Sequence, residues 1–258
     1  MEFDLKFFLK DTIRKMVDFS TTAQNRGIAP PPLQKPYAPD ATLTPLPGPD
    51  CGWPGIAPRS VAEAIAGRVS RRKYTDAALG LEELGFLLWA TQGMRRITGG
   101  SGFRTVPSAG CRHALETYLA VFRVGNLPWG LYRYLPVEHA LVLEDRPEDF
   151  ETLLREAAFG QPFVSRSAAT FIWTAVPARM EWRYAEASSK VIALDAGHVC
   201  QNLYLACEAV GAGTCAVAAY DQEAMDDLLG VDGEEEFTIY LAPVGKIGSD
   251  AGNKGDAS

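Results

Sequence analysis

The chain has 258 residues and a mass of 28.0 kDa, so folding can bury close to three quarters of the roughly 40,000 Å² that the extended chain exposes. Hydrophobic residues at 47% and charged residues at 22% exclude collagen-like, coiled-coil and wholly disordered classes, and no apolar run approaches the ~20 residues of a bilayer-spanning helix. Basic residues number 25 against 32 acidic ones, a net charge of −7, which is the wrong sign for gripping a polyanionic backbone; neither nucleic acid nor membrane is expected as a partner.

From the N-terminus, MEFDLKFFLKDTIRKMVDFS places Glu2, Asp4, Lys6 and Lys10 where a secretory signal needs an unbroken apolar stretch. Residues 3–18 read as a short amphipathic helix. The five cysteines, Cys51, Cys111, Cys200, Cys207 and Cys215, are odd in number and never fall in C-x-x-C spacing. They read as reduced thiols of a cytoplasmic protein. Ten of the 17 prolines lie between Pro30 and Pro58, which excludes helix there and biases the segment to extended, solvated backbone, either a linker or an arm laid over a folded surface. The apolar residues Leu33, Tyr37, Leu43, Leu46 and Trp53 favour an arm.

Ordered chain is expected to begin near Ser60, where SVAEAIAGR carries a capping box, Ser60 with Glu63. LGLEELGFLLWATQG puts Leu81, Leu84, Leu87 and Leu88 on one helical face and ends at Gly93. ETYLAVFRV and GLYRYL read as paired strands, and ATFIWTAV at 169–176 as a buried strand. A long helix is expected from about Glu186 to Val210, with a last strand at 237–245. Helices and strands alternate without a βαβ period, which predicts an α+β fold with helices on a mainly antiparallel sheet. The chain divides into an N-terminal helix and proline-rich arm at 1–57, a globular domain at 58–247 and a flexible tail at 248–258.

Several standard constellations are missing: no G-x-S-x-G, no H-E-x-x-H, no Walker loop, and only three dispersed histidines, His113, His139 and His198. No metal site is expected. GAGTCAV at 211–217 resembles half of a dinucleotide fingerprint but follows a helix instead of a strand, which argues against a Rossmann fold. Three segments remain. RVSRRKY at 68–74 clusters Arg68, Arg71, Arg72 and Lys73 around Ser70; it is a solvated turn or a holder of phosphate through forked, charge-assisted hydrogen bonds. TVPSAGCRH at 105–113 is a plain loop or one whose small residues let backbone approach a flat ligand. DAGHVCQNLY at 195–204 carries His198 on an apolar helix, where a packed core histidine is the simpler reading.

In order and spacing these segments resemble the flavin-dependent nitroreductase superfamily, most closely its SagB-type dehydrogenase branch. The R-x-S-x-R-x-[FY] opening appears as Arg68, Ser70, Arg72 and Tyr74, the L-L-W-A-x-Q-G helix as LLWATQG, and the R-x-x-P-S-A-G loop as Arg104, Pro107, Ser108, Ala109 and Gly110. GLYRY at 130–134, DAGHVCQNL at 195–203 and YLAPVGK at 240–246 complete the series, which covers roughly residues 58–247. The resemblance implies an FMN enzyme with a nitroreductase-like sandwich of helices around the sheet, built as an intertwined homodimer with two flavins at the subunit interface. It implies that Arg68, Ser70 and Arg72 hold the phosphate, ribityl chain and pyrimidine edge, with Lys246 a further cation on the phosphate. Pro107, Ser108, Ala109 and Gly110 would come from the other subunit, and backbone amides near Ala218 and Ala219 would line up with flavin N5. Two departures stand out. Many nitroreductases have Glu-Gly near N5 where this chain has Ala218 and Ala219. Azoline dehydrogenases of the branch typically show Lys-Tyr where this chain has Arg183 and Tyr184, the implied catalytic pair, and arginine stays protonated at physiological pH. The implied function is hydride transfer to or from FMN, oxidising peptide azolines to azoles. The alternatives are a stand-alone reductase of nitroaromatics, quinones or activated alkenes that draws on NAD(P)H, or a non-catalytic scaffold subunit of a peptide-modifying complex. The substrate is accordingly a small molecule or a peptide.

Overall fold

The computed structural model describes residues 6–248. In chain order the elements are β1 (Leu43–Pro45), α1 (Val61–Gly67), α2 (Leu81–Gln92), β2 (Met94–Thr98), β3 (Ser101–Arg104), β4 (Leu115–Val121), β5 (Gly130–Leu135) and β6 (Ala140–Asp145). They continue with α3 (Phe150–Ala157), α4 (Pro162–Ser165), β7 (Ala169–Ala175), α5 (Pro177–Tyr184), α6 (Ser188–Ala209), β8 (Ala212–Thr214), α7 (Gln222–Leu229) and β9 (Phe237–Lys246). Seven strands form one sheet in the order β1-β6-β5-β4-β7-β9-β8, every neighbouring pair antiparallel, while β2 and β3 make a separate hairpin.

The central strands β4 and β7 are buried along their whole length, because helices cover both faces and strand side chains alternate between them. Leu115, Leu119, Phe171, Trp173, Ala242 and Val244 face α2, α5 and α6. Tyr118, Ala120, Ile172 and Leu241 face α3, α4 and α7. This is the expected α+β sandwich. The α1 capping box forms as read, Ser60 Oγ accepting from the Glu63 amide at 3.2 Å while Glu63 accepts from the Ser60 amide at 2.9 Å. Leu84, Leu87 and Leu88 of α2 are fully buried. No helix among the described residues is long and apolar enough to cross a membrane.

The N-terminal region departs from the sequence reading in two ways. Residues 3–5 of the anticipated helix and residues 249–258 of the tail lie outside the described residues; from Lys6 to Asp18 the chain makes turns and one 3-10 helix at Thr12–Lys15, with no buried residue to anchor a longer helix. Regular structure starts before Ser60, since β1 pairs with β6. Proline is tolerated there because β1 is an edge strand, where one missing amide leaves no central ladder broken. The proline-rich stretch lies along the sheet, as an arm and not a linker. Arg133 donates to the Lys35 and Pro36 carbonyls at 2.8 and 3.0 Å, Arg104 to the Leu33 carbonyl at 2.7 Å, and the Lys35 amide to Glu116 at 2.6 Å. Trp53 inserts edge-on against Phe86 and His139, with Trp89 tilted beside it.

Candidate functional site

The long helix α6, 22 residues and so roughly 33 Å, organises two clusters. The first surrounds its C-terminal half. Past α1 the chain runs alongside β8 through a parallel bridge between Ser70 and Thr214 and an Arg71 amide bond to the Thr214 carbonyl of 2.9 Å. Tyr74 anchors the far end, donating to the carbonyls of Arg71 (2.8 Å) and Pro243 (3.2 Å); a Cβ at Gly245 would lie 2.6 Å from its ring, so the strand approaches that closely only as glycine. Burial pushes the Tyr74 phenol up, keeping it a neutral donor.

Tyr204 is the hub of this cluster. Its hydroxyl shares a 3.0 Å hydrogen bond with Ser70 Oγ and accepts from the Ala216 amide at 2.9 Å, while the Arg68 guanidinium lies over its ring, 5.2 Å from the centroid. Arg72 lies over Phe163 at 5.8 Å. Among the described residues neither guanidinium is in an ion pair with a carboxylate, whereas neighbouring Arg59 is paired with Glu208 at 3.7 Å. Ala218 and Ala219 follow on the same side, exposed, and their amides donate to no acceptor among the described residues. Lys246 is differently placed: its ammonium donates to Glu83 Oε1 and to the Val210 carbonyl, both at 2.6 Å, joining α2, β9 and the end of α6.

The second cluster surrounds the N-terminal half of α6. Asp195 Oδ2 accepts from Ser108 Oγ at 2.5 Å and Oδ1 from the Ala109 amide at 3.4 Å; Ser108 Oγ in turn accepts from the His113 amide at 2.9 Å. Burial pushes the Asp195 carboxyl up, against the Ser108 and Ala109 bonds that pull it down. Gly110 takes φ +58°, and a Cβ built there would lie 2.6 Å from Arg183 Cδ and 2.9 Å from Tyr184 Oη. The loop therefore meets the end of α5 in the same chain, with Arg183 and Tyr184 against it. Trp182 lies under the Arg112 guanidinium at 4.7 Å.

Arg68 and Ser70 thus gather at Tyr204 of α6 beside Ala216 and the exposed Ala218 and Ala219 that follow it, with Arg72 over Phe163 of α4, whereas Pro107, Ser108, Ala109, Gly110, Arg183 and Tyr184 gather toward Asp195 of α6. Asp195 and Tyr204 are nine positions apart on that helix, roughly 13 Å along its axis. The sequence reading left both residues without a role, although the two ends of DAGHVCQNLY mark them. It also misplaced His198, whose side chain is 55% exposed and 4.0 Å from Asp195; it lies on the solvent-facing stripe of α6 with Leu194, Gly197 and Gln201, not in the core.

The buried imidazole of the second cluster is His113, 6% exposed. Burial, then the guanidiniums of Arg104 and Arg112, pull it down from 6.5 to about 3. Between those values the unfolded chain binds a proton that the folded chain does not, so stability falls as pH falls through this window. The loss at pH 5 is about 2 kcal/mol relative to neutral pH. His113→Gln is expected to flatten the urea-unfolding stability profile between pH 7 and pH 5 by that amount; an unchanged slope would show that His113 protonates normally in the folded protein.

The profile of the Nitroreductase family matches residues 65–246. A Methanocaldococcus jannaschii protein named "Putative nitroreductase MJ1384" is 32% identical over 194 residues, 75% of this chain and 94% of that protein. A solved structure described as a "putative nitroreductase" from Ralstonia eutropha is 27% identical with a TM-score of 0.66, covering 86% of this chain and 96% of that one. Two more distant structures share the fold. The Escherichia coli microcin synthetase McbBCD complex with truncated pro-MccB17 bound gives 15% identity and a TM-score of 0.59 over 84% of this chain and 79% of that one. The NADPH:FMN oxidoreductase of Vibrio harveyi complexed with NAD+ gives 16% and 0.54 over 75% and 71%. Since the family profile spans both clusters on α6, and the archaeal relative matches over nearly its full length, the chain belongs to the nitroreductase family of oxidoreductases.

Proposed function

We propose that the protein is an FMN-dependent oxidoreductase that exchanges hydride with a small molecule or a peptide, working as a homodimer in which each site takes one cluster from each copy. The observation that carries this reading is the cluster around Tyr204. Two guanidiniums without carboxylates suit a phosphate dianion, the Ser70 and Tyr204 hydroxyls suit a polyol, and the undonated amides of Ala218 and Ala219 suit ring heteroatoms. A bound flavin supplies the two-electron chemistry, and the protein binds, orients and shields it. Arg68, Ser70 and Arg72 would hold the phosphate and ribityl chain. Lys246 spends two of its three N–H donors on Glu83 and Val210, and the third would serve the phosphate. The loop from Pro107 to Gly110 would face the flavin of the other copy, because in its own chain it lies at the opposite end of α6.

Tyr184, against Gly110, is positioned to give or take a proton beside the ring; Arg183 is permanently charged and holds position instead. The order of the motifs supports a SagB-type dehydrogenase that oxidises peptide azolines. Arg183 in place of lysine weighs toward the reductase that draws on NAD(P)H, and a scaffold subunit would have no need of the undonated amides. The test is spectroscopic. The purified protein, loaded with FMN and freed of excess, is expected to stay yellow and to bleach when mixed anaerobically with NADPH. A yellow protein that does not bleach would overturn the reductase in favour of azoline oxidation, and a protein that stays colourless after loading would overturn both.

A further inference from the structure

The second cluster brings two guanidiniums to one glycine. Arg112 Nε donates to the Gly110 carbonyl at 3.3 Å, and the Arg183 side chain lies within 2.6–2.9 Å of where a Gly110 Cβ would be. Arg112 spends its remaining bonds on Ser101 Oγ (3.1 Å) and the Cys111 carbonyl (3.4 Å) through Nη2, leaving Nη1 without an acceptor, and Arg183 donates no hydrogen bond among the described residues. Among the described residues neither meets a carboxylate in an ion pair, although Glu181 and Glu186 flank Arg183 in sequence. Aromatic faces back both cations, Trp182 for Arg112 and Tyr184 for Arg183 at 5.8 Å.

The backbone holds this arrangement against its own preferences. Cys111 and His113 take φ of 55° and 47°, and Ala185, directly after Tyr184, takes φ 45° and ψ −134°, a region that β-carbon-bearing residues rarely occupy. Like charges held together repel, and the Arg112 guanidinium is pulled down first by burial and then by Arg183. Other arginines of the chain show what a satisfied guanidinium looks like here: Arg133 has Glu144 and Arg179 has Glu116.

We propose that Arg112 and Arg183 form a receptor for the carboxylate of a flat organic substrate, so that the enzyme selects anionic over neutral substrates at this site; the inference rests on the flavoenzyme reading and names its substrate class. Two adjacent forks with open donors match the planar oxygens of a carboxylate, and the flanking indole and phenol rings match a planar body.

The probe pair is benzoate and benzamide, equal in shape and different in charge, titrated by calorimetry into the protein loaded with FMN. Benzoate is expected to bind at least tenfold more tightly than benzamide, and Arg183→Gln to bring that ratio down to near one, with Arg183→Lys restoring part of it. Arg183 is exposed, so the variant is not expected to unfold, and a circular dichroism spectrum checks that. Equal binding of the two probes by the unmodified protein, or a ratio unchanged in Arg183→Gln, would overturn the proposal. So would a protein that prefers 2′,5′-ADP and shows no benzoate preference, since the anion would then belong to a nucleotide donor. A yellow protein lacking the preference overturns only this proposal, whereas a colourless one overturns the flavin reading itself.

Discussion

Replacing Arg68 and Arg72 together with alanine is expected to weaken FMN binding by at least about 100-fold, read by titration of flavin fluorescence. Each guanidinium is a charge-assisted donor that has no carboxylate partner among the described residues, and losing one such hydrogen bond costs about 1.5–3 kcal/mol, or roughly tenfold to 150-fold in affinity. The same variant offers a test of the shared site. Gly110→Val places a branched side chain where a single Cβ is already 2.6 Å from Arg183, at a φ that β-branched residues avoid. It is expected to block the loop while leaving the cluster around Tyr204 intact. Co-expressed with the double-alanine chain, it should give heterodimers in which one of two sites is whole, recovering up to half of the flavin per dimer. Recovery of no flavin in isolated heterodimers would show that each site is built from a single chain.

The largest loss of stability is expected at Glu116. This carboxylate, 2% exposed, pairs with Arg179 at the base of α5, itself 4% exposed, and also accepts the Lys35 amide of the proline-rich arm. Glu116→Gln removes the charge and strands the buried guanidinium, whose Nη1 already has no partner. Breaking a buried pair on one side costs about 3–5 kcal/mol, a large fraction of the 5–15 kcal/mol that typically separates folded from unfolded domains. Urea unfolding should report that loss. Because Glu116 ties the arm and α5 to the same strand, limited proteolysis between residues 26 and 58 should also accelerate. Glu116→Leu combined with Arg179→Met should recover most of the stability without restoring the arm contact. A double variant as unstable as Glu116→Gln would show that the loss does not come from the unpaired guanidinium.

What could be read in the sequence was local. The α1 capping box, the leucine face of α2, the alternation of β4 and β5 and the apolar length of α6 are set by neighbours within a few positions, where periodicity and caps act. The family motifs were legible for the same reason, since each is a short run that must shape its own backbone around a ligand. Over the described residues 6–18 the amphipathic pattern misled because a face without a partner to bury it does not make a helix of itself. The proline count hid β1, as an edge position relaxes the rule that proline breaks strands.

The site was legible as residue types and not as places. Ser70 and Tyr204 are 134 positions apart and Ser108 and Asp195 are 87 apart, and no spacing rule joins them. Packing of α6 across the sheet does. The opposite directions of two facts show the division. Composition and motif order determined, without coordinates, that the chain makes an α+β nitroreductase fold that buries a full core. Tertiary structure alone decided that Lys246 is already held by Glu83 and Val210, that His198 faces solvent, and that the two clusters lie roughly 13 Å apart along one helix. The physical reason is that secondary structure follows from interactions between near neighbours, whereas a binding site is defined by contacts between distant ones, which exist only once the core has closed.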